Sequence, residues 1–151
     1  MKFRKFKQSE EIELIDYVRD YLSKNDDIEL LVGTDSQNHG KKTVYAVVVA
    51  LYKPGKGAHV IYRKWSVEKE RVNAVRLINE VWYSIEVAEV LKEAGLPKVK
   101  FIDIDLNPDP KYKSNEVFRQ CVGLVEGMGY AVRSKANGTL VTYAADALVR
   151  M

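Results

Sequence analysis

Cysteine is almost missing from this sequence: Cys121 is the only one in 151 residues, so no disulfide can form within the chain. Its valine, glycine and leucine neighbours fit a small buried residue better than a catalytic thiol. Histidine is nearly as scarce. With only His39 and His59 beside that one cysteine, no zinc-type ligand set occurs at sensible spacing. Long apolar runs are lacking too. The longest, residues 44–52, is far too short to cross a bilayer as a helix, which excludes a membrane partner of that kind. The basic N-terminus has no apolar stretch of signal-peptide type, so a cytoplasmic, reducing location is the expectation. There is no glycine-rich phosphate loop, and no serine stands in a recognisable arrangement with histidine and aspartate. Charge of one sign is not in great excess either. A net +3 permits a polyanionic partner without requiring one.

What is present reads as a single α/β domain spanning 1–151, long enough to bury a real core. Residues 2–7 alternate basic and aromatic side chains. Ser9 then makes a plausible helix cap, with Glu10 and Glu11 in the first turn and Ile12, Ile15, Val18 and Leu22 at helical spacing. Residues 1–27 are therefore expected to be an arm and a helix outside a core of 28–150. Residues 28–35, 42–52 and 58–66 read as strands joined by short links, hence an antiparallel meander. A long helical pattern runs from about 68 to 94, stopped by Gly95 and Pro97. Residues 98–106 form a buried strand, parallel to an earlier one because a long helix precedes it. A helix from Ser114 to about 128, a strand over 130–135 and a last helix over 141–150 complete the order. That order is a helix followed by βββαβαβα, a five-stranded mixed sheet flanked by helices.

The placement of the acids is the informative feature. Asp35 ends one apolar run, Asp103 and Asp105 end another, and Asp146 lies in the last helical pattern. A carboxylate is costly inside a sheet unless something offsets its desolvation, and a divalent cation does so well. Each acid also has a plainer reading. Asp35 is compatible with a turn-forming role, and Asp103 with a salt bridge to a basic side chain, while Asp105 is nearer the strand's open end. Glu80 and Glu86 flank the apolar stripe of the long helix. Glu80 is preferred because it is earlier and directly precedes Val81-Trp82.

The element order is that of the ribonuclease H fold. The segments Gly33-Thr34-Asp35-Ser36-Gln37, Asp103-Ile104-Asp105-Leu106-Asn107-Pro108 with Lys113-Ser114, and Ala145-Asp146-Ala147-Leu148-Val149-Arg150 resemble the family that includes the Bacillus protein YkuK. That family is grouped with ribonuclease-H-like proteins, and the resemblance covers roughly residues 28–150. It implies a metal-dependent nuclease ancestry. The implied catalytic set is Asp35, Asp105, Asp146 and Glu80, with Asp35, Asp105, Asp146 and Asp103 as candidate ligands for Mg²⁺ or Mn²⁺. Such ions prefer hard oxygen donors and suit phosphodiester hydrolysis.

Lys111, Lys113 and Ser114, just past the carboxylate strand, are candidate nucleic-acid contacts together with Gln37, and the basic arm extends a possible track. The expected activity is phosphodiester hydrolysis in RNA, DNA or a hybrid. The alternative is an inactive nucleic-acid- or protein-binding module on the same fold. Oligomeric state is not legible.

Overall fold

The computed structural model describes residues 1–105, 115–134, 144–145 and 149–150. Its elements are β1 (Lys2–Lys5), β2 (Glu11–Glu13), α1 (Leu14–Lys24), β3 (Glu29–His39), β4 (Lys42–Lys53) and β5 (Gly57–Glu68). After them come α2 (Asn73–Glu93), β6 (Phe101–Ile104), α3 (Asn115–Gly127) and β7 (Ala131–Ser134). Among the described residues the strands form one mixed sheet in the order β2-β1-β5-β4-β3-β6-β7. The meander is antiparallel and β6 and β7 are parallel additions to it, in keeping with the ribonuclease-H-like architecture.

The N-terminal segment differs from expectation, and the sheet has seven strands rather than five. The alternating residues 2–5 are a strand, not a loose arm, because the edge of β5 offers Tyr62 and Ile61 as partners for Arg4 and Lys5. β2 then pairs back on β1, and the helix begins only at Leu14, capped by the Glu13 carboxylate rather than Ser9. The first meander link is also shorter than predicted. β3 continues through the polar residues 36–39, since each of them pairs with β4 as far as His39↔Lys42. The turn is left to Gly40 and Lys41, and Gly40 sits at φ +57, where an L side chain is strained. β5 likewise runs on to Glu68, so α2 starts at Asn73 instead of 68.

One face of the sheet is covered by α1, α2 and α3, with Leu30, Val32, Val49, Ile61 and Ile102 meeting Leu14, Val18, Val81, Ile85, Ala88, Leu91, Cys121 and Val125. Those α2 positions recur at helical spacing, which fixes the side it buries. The opposite face (Leu31, Val44, Ala46, Val48 and Ala50) packs against Ala145 and Val149. Both faces of the sheet thus bury apolar side chains, and Asp35 and Ser36 on β3 and Asp103 on β6 are buried as well.

Candidate functional site

Strand register places the two central acids. β3 and β6 pair in parallel through Leu31↔Phe101, Val32↔Ile102 and Gly33↔Asp103. Asp35 on β3 and Asp105 just after β6 therefore lie two residues beyond the last pair, on neighbouring strands' paths. Neighbouring strands are about 4.8 Å apart, so this register brings remote positions side by side. Strand alternation also turns Leu31, Gly33 and Asp35 to one face and Thr34 and Ser36 to the other.

On that second face α2 approaches closely. Its small Ser84 hydroxyl shares a buried 2.7 Å hydrogen bond with the Thr34 hydroxyl. One turn earlier, Glu80 accepts a hydrogen bond from the Ser36 hydroxyl. Glu80 is only 5% exposed and Asp35 8%, whereas Glu86 faces solvent. Asp35, Ser36, Gln37, Asn38, Arg76, Leu77, Glu80, Asp105 and Arg150 line one cleft of about 330 Å³.

The cleft brings three acids, Asp35, Glu80 and Asp105, together with two arginines, Arg76 and Arg150. Burial first, and the Asp35 charge second, hold the Glu80 carboxyl well above the ordinary carboxylate range. The Ser36 hydroxyl and the Arg76 guanidinium oppose that shift, and Asp105 reinforces it. Arg76, four residues before Glu80, donates to the Ser36 carbonyl at 3.0 Å and to its hydroxyl at 2.9 Å, and stands 4.0 Å from the Glu80 carboxylate. Asn73 accepts from its other nitrogen at 2.6 Å. Asp35 accepts from the Ser36 amide at 2.8 Å.

Asp103 is differently employed. Arg133, its register partner on β7, donates to both carboxylate oxygens at 3.0 Å. The Asp103 side chain is wholly buried. Of the two roles open to Asp103 in the sequence, the salt bridge is the one the structure displays.

The donor set suits a hard divalent cation in kind: two carboxylates on strand ends, one on a helix, and the amide oxygen of Gln37, which is buried without a hydrogen-bond partner among the described residues. The conformation is not a closed cage. Among the described residues no three His, Cys, Asp or Glu side chains are gathered tightly enough to hold an ion. Asp146, Lys111, Lys113 and Ser114 lie outside the described residues. His39 is tied to the Val149 carbonyl at 2.8 Å. The Cys121 thiol is buried in the core and pushed up to about 11 by desolvation and, less strongly, by Glu80.

Sequence reading missed Arg76 and Arg150 as cleft residues. The i, i+4 spacing of Arg76 and Glu80 on a predicted helix was a usable signal for the first.

No curated protein matches the sequence. Among solved structures the chain is similar to the crystal structure of RNase H1 from the halophilic archaeon Halobacterium salinarum NRC-1. The identity is 16%, with 80% of this chain and 93% of that chain covered and a TM-score of 0.42. A family model described as ribonuclease H-like matches residues 13–150. The chain belongs to the ribonuclease H-like family.

Proposed function

We propose that this protein is a metal-dependent nuclease that hydrolyses phosphodiester bonds in nucleic acid. The observation that carries the reading is the shared cleft of Asp35, Glu80 and Asp105, with two of the three acids almost fully buried. Burial and the neighbouring Asp35 raise the Glu80 carboxyl, and a bound divalent cation would favour its charged form.

Asp35, Asp105 and Glu80 would hold Mg²⁺ or Mn²⁺, with Asp146 as the fourth acid from the sequence. Asp103 is kept as an outer neighbour of the set, anchored by Arg133. The cations would supply activation of the attacking water and stabilisation of the leaving oxygen. The chain's own residues do the rest: Ser36 and Arg76 orient Glu80, and Gln37 offers a neutral acceptor beside Asp35. Lys111, Lys113 and Ser114 are proposed phosphate contacts on sequence grounds.

The test is cleavage of labelled single-stranded, duplex and hybrid substrates with Mg²⁺ or Mn²⁺. Cleavage that Asp35→Asn and Asp105→Asn both abolish is expected, and cleavage that survives both substitutions would refute the assignment. One observation favours the second reading, an inactive binding module: Glu80 is already engaged by Ser36 and Arg76 within the protein. Metal-independent, salt-sensitive binding without cleavage of any substrate would establish that alternative.

A further inference from the structure

A row of side chains leads away from the cleft across the sheet. Ser36 of β3 pairs with Tyr45 of β4, and Tyr45 pairs with Trp65 of β5. Directly opposed residues share a face, so Ser36, Tyr45 and Trp65 form one line under α2. Two strand spacings separate its ends, about 10 Å. The Tyr45 hydroxyl accepts from Asn79, the residue next to Glu80, at 3.2 Å, which ties the row to the cleft a second time.

The outer end of the row is an aromatic tier capped by a cation. The Trp65 ring lies nearly parallel to Tyr45, with centroids 5.8 Å apart and 22° between the planes. Tyr83 of α2 meets both rings edge-on, at 4.7 and 4.9 Å. The Arg63 guanidinium sits 4.8 Å over Trp65, and Arg63 is exposed to solvent. A guanidinium over an indole is a cation on an aromatic face, and nucleobases stack on both kinds of group. Beside it, a groove of about 390 Å³ is lined by Arg4, Lys64, Arg63 and Trp65. Glu11, the one acid lining that groove among the described residues, is ion-paired with Arg4 at 3.4 Å, so three basic side chains line the groove beside one acid. Cations that hold phosphates next to an aromatic stack are the parts of a single-strand binding surface. A duplex has its base faces occupied by stacking and could use only the cations.

We propose that Arg63, seated on Trp65, is a stacking platform for an unpaired nucleic-acid strand leaving the Asp35–Glu80 cleft, so that the substrate carries single-stranded nucleotides beside the bond that is cut. The part of this statement about the cut bond rests on the nuclease reading; the platform itself does not.

The test is fluorescence anisotropy of the full chain in EDTA, using a fluorescein-labelled single strand of about 15 nucleotides and the matching blunt duplex. The single strand is expected to bind at least about tenfold more tightly than the duplex. Arg63→Ala should weaken single-strand binding by about five- to tenfold and leave duplex binding nearly unchanged. Arg63→Lys retains charge but not the plane, and should resemble Arg63→Ala. Equal affinity for the two probes, an Arg63→Ala variant that binds as wild type, or full recovery with Arg63→Lys would overturn the proposal. The cleavage assay with Mn²⁺ separates the two readings. Selective binding without cleavage removes the nuclease and keeps the platform; cleavage without single-strand preference removes the platform and keeps the nuclease.

Discussion

Replacing Arg133 by alanine is expected to cost about 3–5 kcal/mol of folding stability, the range found when one partner of a buried ion pair is removed. Asp103 is wholly buried, and its two oxygens accept from Arg133 at 3.0 Å each. Without the guanidinium the carboxylate either stays charged inside the sheet or takes up a proton, and both are unfavourable. Arg133 also lies over the Phe101 ring at 5.5 Å, so some packing is lost as well. In a domain of this length a loss of about 3 kcal/mol lowers Tm by roughly 10 °C. Urea denaturation of wild type, Arg133→Ala, Asp103→Leu and the double variant gives the coupling energy. The double variant should recover much of what Arg133→Ala loses, because no unpaired buried charge remains. A cost below about 1 kcal/mol for Arg133→Ala would show that the pair contributes little, in line with exposed ion pairs. It would then reopen a direct ligand role for Asp103.

Glu80→Gln should stabilise the metal-free protein relative to wild type as pH rises from the carboxylate range towards neutrality. The Glu80 carboxyl is raised in the folded state, so the stability it contributes is complete below its unfolded value and is lost as pH rises through its folded value. Denaturation in EDTA across that window should show wild type falling behind Glu80→Gln by up to about 1.4 kcal/mol per pH unit, and a difference independent of pH would contradict the burial argument. The Cys121 thiol, buried and raised to about 11, should react with a thiol reagent at neutral pH only after denaturant is added. Rapid labelling of the native protein would show that the α3 contact with the sheet opens readily. Thr34→Val should cost about 1–3 kcal/mol by leaving the Ser84 hydroxyl buried without its present partner. Thermal unfolding that matches wild type would mean that α2 readjusts over the vacated position.

Much of the architecture could be read from periodicity. The β-branched and aromatic segments of the meander, Gly95 closing the long helix and the parallel placement of β6 follow from local pattern and chain connectivity. The N-terminal hairpin was hidden because strand formation there depends on a remote partner, the Tyr62 edge of β5. Ser9-Glu10-Glu11 meanwhile imitates a helix start that Glu13 actually provides. The polar end of β3 was misread for a similar reason: Ser36-Gln37-Asn38-His39 has turn-like composition, yet it is held extended by β4. The acids at strand ends were visible as residue types, and the preference for Glu80 over Glu86 coincides with which of the two is buried. The Asp103–Arg133 and Arg76–Ser36 contacts were not visible, since register and helix rotation decide them. Sequence alone supplies neither for positions 30 and 40 residues apart.

Among the described residues, three residue pairs fasten β6 alongside β3. Insert one amino acid into the link before Phe101 and, if hydrogen bonding re-forms one step out of phase, every side chain on that strand trades sides. Isoleucine would then stand where Asp105 now stands, and the acid would be driven among the helices. The proposed chemistry thus hangs on a splice a few residues long, and a single inserted codon would silence it while leaving the scaffold largely in place.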